Sequence, residues 1–215
     1  MAVPIYSDFK DNHLFRDFAN FVVMKGVNIF LADGFEDVEA LATCDVLRRG
    51  GVDVTLVALT DDPMVESSHG VLVFSETFLP ELEVDHAGTD AADVMIFPGG
   101  MPGSKSLAAC TPLIDLMQAH YDAGGSLAAI CAAPGLVLSQ LRPDILRGME
   151  FTCFDGFQDA LIAQGARYTP APAVRAGRIV TGRSAGHAIA FALEILRGIK
   201  GDAVAAQVAH ALFLD

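Results

Sequence analysis

No two cysteines in the 215 residues stand as a CxxC or CxxH pair; Cys44, Cys110, Cys131 and Cys153 are scattered singly, so no zinc-ligand set is on offer. Basic residues are scarce: 14 Lys and Arg against 27 Asp and Glu give a formal net charge of −13, with a pI near 4.7. Such a surface repels phosphate backbones and anionic lipid, which disfavours nonspecific nucleic-acid and membrane-surface binding. The basic-then-apolar layout of a secretory signal is missing, since residues 1–23 carry Asp8, Lys10, Asp11, Arg16 and Asp17 throughout. Free thiols in a reducing cytoplasm are therefore expected. The longest uncharged stretch, 123–141, has the length of a membrane span but contains Gly124, Gly125, Ser126, Pro134, Gly135, Ser139 and Gln140. It reads instead as a turn, a buried strand and a helix start.

Apolar residues are abundant. At 52% hydrophobic and a mean hydropathy of +0.42, the chain can bury a large core, and its length fits one compact domain. From residue 27 short β-branched runs alternate with helical patterns: VNIFLA (27–32), EDVEALATCDVLRRGG (36–51), VDVTLVAL (52–59). The first helix opens with Glu36, Asp37 and Glu39, closes with Arg48 and Arg49 and stops at Gly50–Gly51, matching the helix dipole and a glycine stop. The strands lack polar alternation, so both faces are covered and the sheet is mostly parallel with helices on both sides. Residues 63–79 predict a hairpin or antiparallel excursion at a sheet edge, and DVMIF (93–97) a buried strand ending in the loop PGGMPGS. A helix from Thr111 to His120 or Asp122 precedes the strand SLAAI (126–130) and a helical AAPGLVLSQL. The tail adds a strand near 150–153, a helix near 157–164, a strand pair within 167–181, and helices near 185–197 and 202–213.

Cys131 falls where a buried strand ends and a helix begins, an elbow that holds a side chain over the carboxyl edge of the sheet, where open α/β folds place ligands. Helix N-terminal amides there would lower a thiol pKa; the other reading is a buried, inert cysteine. The GxSxG pattern of serine elbows is absent around Cys131. In DGFEDVE, Glu36 and Glu39 share a helix face at the same edge, either as ordinary helix-start acids or with one of them able to exchange protons with the thiol. Gly99 and Gly100 follow another strand at that edge and make either a tight turn or an amide cradle for an anion. PGGMPGS matches neither GxGxxG nor the P-loop, so no nucleotide is implied. His187, in TGRSAGHAI, is the histidine nearest a loop-to-helix junction, though a surface or packed role suits it as well.

ADGFEDVEALATCDVLRRGG, IFPGGMPGS and LAAICAAPG, supported by TGRSAGHAIAFALEIL, together resemble the ThiJ/PfpI superfamily, and within it the deglycase-like DJ-1 branch, from residue 27 to about 212. The resemblance implies a flavodoxin-like α/β three-layer sandwich over residues 24–215, akin to class I glutamine amidotransferase domains, and a homodimer. It implies Cys131 as the reactive elbow cysteine, Glu39 as a protonated glutamate hydrogen-bonded to its sulfur, and Gly99, Gly100 and the Ala132 amide as the anion pocket. Asp45 and the Arg48–Arg49 pair also match positions in the first helix. Two departures stand out. Protease-like members carry histidine directly after the cysteine, where this chain has Ala132, and the further histidine of DJ-1-type members is matched by Phe154. A Cys131–Glu39 dyad without histidine help is thus implied, acting without metal or cofactor on a small aldehyde or dicarbonyl such as methylglyoxal, in a glyoxalase or deglycase reaction. The same thiol would equally serve an oxidative-stress sensor or a chaperone; a role in thiazole monophosphate synthesis lacks a phosphate-binding loop.

Residues 1–23 hold Tyr6, Phe9, Phe15, Phe18 and Phe21 but no clear cap or strand signal, and Met24 stands as an alternative start. The segment is expected to be peripheral. A chain beginning at Met24 should keep its thermal midpoint and its Cys131 chemistry. Since about 1 kcal/mol moves the midpoint of a domain this size by about 2–4 °C, a much larger drop would place the segment in the core or an interface.

Overall fold

The computed structural model describes residues 24–82 and 89–214, so the expectation for 1–23 lies outside the described residues. Strand β1 (Val27–Leu31) is buried along its whole length, and its alternate side chains feed two cores. Val27, Ile29 and Leu31 pack on one face, Phe30 on the other. Ile96 against Met95 and Phe97 in β6 (Val94–Phe97), and Ala128 and Ile130 against Leu127 and Ala129 in β7 (Ser126–Ile130), divide the same way. Non-alternating apolar strands thus give a sheet covered on both sides.

Seven strands form that sheet in the order β10-β11-β7-β6-β1-β2-β5, with β2 at Val54–Ala58, β5 at Thr77–Phe78, β10 at Ala173–Ala176 and β11 at Ile179–Gly182. All neighbours are parallel except β10 and β11. One face is covered by α1 (Asp37–Arg49), α7 (Ala188–Lys200) and α8 (Asp202–Ala211); α2 (Met101–Ala109) and α3 (Thr111–Asp122) cover the other. Because β1, β6, β7 and β11 run parallel, the segments leaving them, which carry Glu39, Gly99, Cys131 and Arg183, emerge at one sheet edge. No helix among the described residues is long and apolar enough to cross a membrane.

Four expectations change in detail. PGGMPGS is not all loop: α2 begins at Met101, because Pro102 fits a first helical turn, whose N–H groups need no intrahelical partner. The hairpin expected within 63–79 is present as β3 (Met64–Glu66) and β4 (Leu72–Phe74), but as a two-stranded sheet separate from the main one, tied to the loop after β1 through Gly34 N–H to Glu66 O at 2.7 Å and Ser68 N–H to Phe35 O at 2.7 Å. The tail strand β8 (Glu150–Phe151) pairs in parallel with β9 (Arg167–Tyr168) in a separate two-stranded sheet. After Cys131 the helix α4 (Ala133–Leu136) lasts four residues before a 3-10 turn at Leu138–Gln140, with a further short helix α5 (Pro143–Leu146) and then α6 (Asp159–Ala163) beyond.

His120 lies on the inner face of α3 with Leu113 and Met117, fully buried. Its Nε2 is 3.1 Å from Asp93 O, the carbonyl just before β6, while Nδ1 has no partner among the described residues. Burial holds the imidazole below its usual 6.5, so it is neutral in the fold and takes up a proton on unfolding at lower pH. Its contribution is therefore complete above about pH 6.5 and lost as pH falls, by at most about 1.4 kcal/mol per pH unit. Urea unfolding at pH 7.5 and 5.5 should show a smaller acid loss in His120→Gln than in the parent; equal losses would assign the acid sensitivity elsewhere.

Candidate active site

Cys131 directly follows β7 with φ at +65°, a left-handed conformation uncommon for a residue with a side chain. Two hydrogen bonds fix it: its N–H donates to Gly182 O of β11 at 3.0 Å, and its carbonyl accepts from Phe154 N–H at 2.9 Å. The chain turns sharply there and leaves the side chain half-buried over the sheet edge. Backbone N–H groups of Gly100 and Ala132 donate toward the sulfur.

Glu39 occupies the first turn of α1 but points inward, at 1% exposure. Its Oε2 accepts from Gly99 N–H at 2.7 Å, its Oε1 is buried without a partner among the described residues, and the Cys131 thiol is hydrogen-bonded to the carboxyl. A Cβ on Gly99 would stand 2.3 Å from Oε2 and 3.1 Å from Cys131 Sγ, so only a residue without a side chain lets acid and thiol meet under that loop.

Burial pushes Glu39 up to about 7, with Glu36 alongside repelling its charge. Burial also pushes the Cys131 thiol up, to about 12, reinforced by the charge and hydrogen bond of Glu39, while the Ala132 and Gly100 amides act in the opposite sense. The expectation of a thiol acidified by a helix terminus is thereby reversed. α4 has too few aligned peptides to supply a strong dipole, and burial beside an acid outweighs two amides. Thiol and acid form one unit: the first proton leaves the pair near neutrality, and the second is held against the charge already present.

Polar and aromatic groups lie on the segments that adjoin the pair. Glu36, Asp37 and His69 bring ligand-type atoms within 4.8 Å of one another, with His69 Nδ1 at 2.5 Å from Asp37 Oδ2 and Ser67 Oγ donating to Asp37. Asp155 takes Arg183 at 3.0 and 3.3 Å and the Tyr168 hydroxyl at 3.0 Å. Phe154 stacks edge-on against Phe157, ring centres 6.4 Å apart. His187 Nδ1 meets Ser184 Oγ at 3.0 Å.

The sequence profile of the DJ-1/PfpI family matches residues 25–198. The chain belongs to the DJ-1/PfpI family. It is 30% identical to the protein dj-1beta of Drosophila melanogaster over 88% of this chain and 97% of that protein. It is 34% identical to DJ-1 homolog A of Arabidopsis thaliana over 88% of this chain, but spans only 47% of that longer protein. A relative named glutathione-independent glyoxalase DJR-1.2 in Caenorhabditis elegans is 29% identical over 77% of this chain and 83% of its own length. Among solved structures, a cysteine-to-alanine variant of a DJ-1 superfamily protein from Salmonella typhimurium superposes with a TM-score of 0.78 at 32% identity, covering 88% of this chain and 98% of that one. The oxidised DJ-1 of Toxoplasma gondii gives 0.77 at 28% identity, over 87% and 97%. These neighbours share the flavodoxin-like α/β fold.

Within this DJ-1/PfpI architecture, Cys131, Glu39, Gly99, Gly100 and Ala132 come together at one edge. Gly99 differs in one respect from its expected part, since its amide is engaged by Glu39 and leaves Gly100 and Ala132 as the donors at sulfur. Sequence reasoning passed over His69, whose partners lie 32 and 33 positions away and meet it only through the β3–β4 turn. It also passed over Arg183 and Asp155, which look like isolated surface charges until β11 and the loop after β8 adjoin.

Gly99→Ala tests the meeting of acid and thiol. It should fold with a cost of about 1–3 kcal/mol from overpacking, and alkylation of Cys131 by iodoacetamide at neutral pH should slow at least about tenfold, from displacement of Glu39 by the new methyl group. An unchanged rate in a folded variant would separate the thiol's reactivity from Glu39.

Proposed function

We propose that this chain is a cofactor-independent enzyme acting on small reactive α-oxoaldehydes, with Cys131 as nucleophile and Glu39 as acid and base. The observation that carries the reading is the buried Glu39 carboxyl against the Cys131 sulfur, with one oxygen lacking any partner among the described residues. The glyoxalase name of the Caenorhabditis elegans relative supports the substrate class.

Glu39 as carboxylate takes the thiol proton, leaving a thiolate faced by the Gly100 and Ala132 N–H groups. The thiolate adds to the aldehyde carbon; the carbonyl electron pair moves to oxygen, which receives the proton from Glu39, giving a hemithioacetal. Glu39 then removes the hydrogen from that carbon as a proton, and the resulting enediol is reprotonated at the neighbouring carbon, yielding the thioester of an α-hydroxy acid. Water attacks the thioester and the thiolate leaves. The net reaction adds one water to the oxoaldehyde and needs no external oxidant or reductant. A deglycase reaction would use the same dyad on a hemithioacetal or aminocarbinol adduct.

A second reading, redox sensing through Cys131, draws support from the oxidised state of the related Toxoplasma gondii protein and from the two amides aimed at sulfur. A homodimer in a reducing cytoplasm remains part of the proposal. It is supported by four free thiols and by the apolar side chains that the β3–β4 ribbon leaves in solvent, among them Leu72 at 61% and Phe74 at 65% exposure.

Purified protein should convert methylglyoxal to lactate. Cys131→Ser should abolish turnover and Glu39→Gln should lower kcat/KM by about 100-fold or more, the usual range for loss of a positioned acid and base. Turnover surviving Cys131→Ser would overturn the mechanism. Gain of two oxygens on Cys131 in mild peroxide, with no dicarbonyl turnover, would favour the sensor instead.

A further inference from the structure

Phe154 follows β8, and its surroundings give that ring a defined place. Its N–H donates to Cys131 O at 2.9 Å, so the residue is bonded directly to the nucleophile's own backbone. The ring is nonetheless 48% exposed, a large apolar surface left in water on a residue one backbone hydrogen bond from Cys131. It is not a loose side chain. Phe157 meets it edge-on at 65°, and Phe157 is itself packed so closely on α4 that a Cβ at Gly135 would stand 2.0 Å from its carbonyl oxygen. The segment is tied down at both ends. Thr152 N–H donates to Thr181 Oγ1 at 3.0 Å, and Asp155 holds Arg183, the residue after the Gly182 carbonyl that receives the Cys131 N–H.

We propose that Phe154, backed by Phe157, forms an apolar wall beside Cys131 that selects electrophiles carrying an aromatic or similarly flat apolar group next to the reacting carbon. This rests on the α-oxoaldehyde reading for its reaction, and names arylglyoxals over methylglyoxal as the favoured class. Edge-to-face or offset contact with a ligand ring removes apolar surface of both rings from water. A phenylalanine at this position neither donates nor accepts a proton, so recognition is the contribution open to it.

Two measurements test the wall. In the first, kcat/KM for phenylglyoxal relative to methylglyoxal is compared in the parent, Phe154→Ala and Phe154→Tyr. The ratio should fall about fivefold or more in the alanine variant, the value of one aromatic contact, and return in the tyrosine variant. The second is independent of turnover: the rate at which phenacyl bromide alkylates Cys131, relative to bromoacetone, with Cys131→Ser giving the background of the other thiols. This ratio should fall likewise in Phe154→Ala. Equal alkylation ratios in parent and Phe154→Ala would overturn the wall even if both oxoaldehydes are turned over, leaving the reaction standing. A ratio that depends on Phe154, in a protein that turns over neither oxoaldehyde, would uphold the wall and discard the reaction.

Discussion

Everything at the sheet edge depends on bringing a thiol and a carboxyl together out of water. Cys131 sits at the end of a central strand in a left-handed backbone conformation, pinned by Gly182 on one side and Phe154 on the other, and Glu39 reaches it from the first turn of the neighbouring helix. The two groups meet beneath Gly99, where any side chain would intrude. A buried acid costs free energy in its charged form, and so does a buried thiolate; each raises the cost of ionising the other. The pair therefore holds one proton over a wide range of pH, and its location is decided locally, by the Gly99 amide on the acid and the Gly100 and Ala132 amides at the sulfur.

The rest of the fold supplies the rigidity for this. Residues of β1, β6 and β7 alternate between two dry cores, so the strand ends that position Glu39, Gly99 and Cys131 are set by packing on both faces of the sheet. The β10–β11 hairpin closes one side of the site and places Arg183 against Asp155, joining the segment after Cys131's strand partner to the loop that carries Phe154. On the other side, the β3–β4 ribbon brings His69 onto Asp37 and Glu36 at the start of α1. The start of α1 is thus braced from an element distant in sequence.

Much of this was legible in the sequence because it is periodic or punctuated. Unbroken apolar runs announced a parallel sheet covered on both faces, and Glu36 to Arg49 carried the charge order of a helix with its glycine stop. The abrupt step from LAAI into Cys131 signalled an elbow. What depends on three-dimensional neighbours was not legible. PGGMPGS looks like loop because glycine and proline dominate it, yet proline is at home in a first helical turn, so α2 starts inside it. The acidity of Cys131 was expected to follow a helix terminus, but the helix is one short turn and the acid beside the sulfur prevails. The Gly99 amide, expected to hold an anion from the substrate, is taken by Glu39. Nor does local sequence reveal that Phe154 is bonded to the backbone of Cys131, 23 positions earlier.

The shared proton is tested most directly by the rate of Cys131 alkylation as a function of pH, with Cys131→Ser as background. If the thiolate arises by proton transfer to Glu39 within the singly ionised pair, the rate should rise through about pH 7, where the pair loses its first proton, and then level off. A rate that instead climbs tenfold per pH unit without a plateau to beyond about pH 10 would mean that the thiolate forms only with the second proton, and would contradict a Cys131–Glu39 pair that shares one.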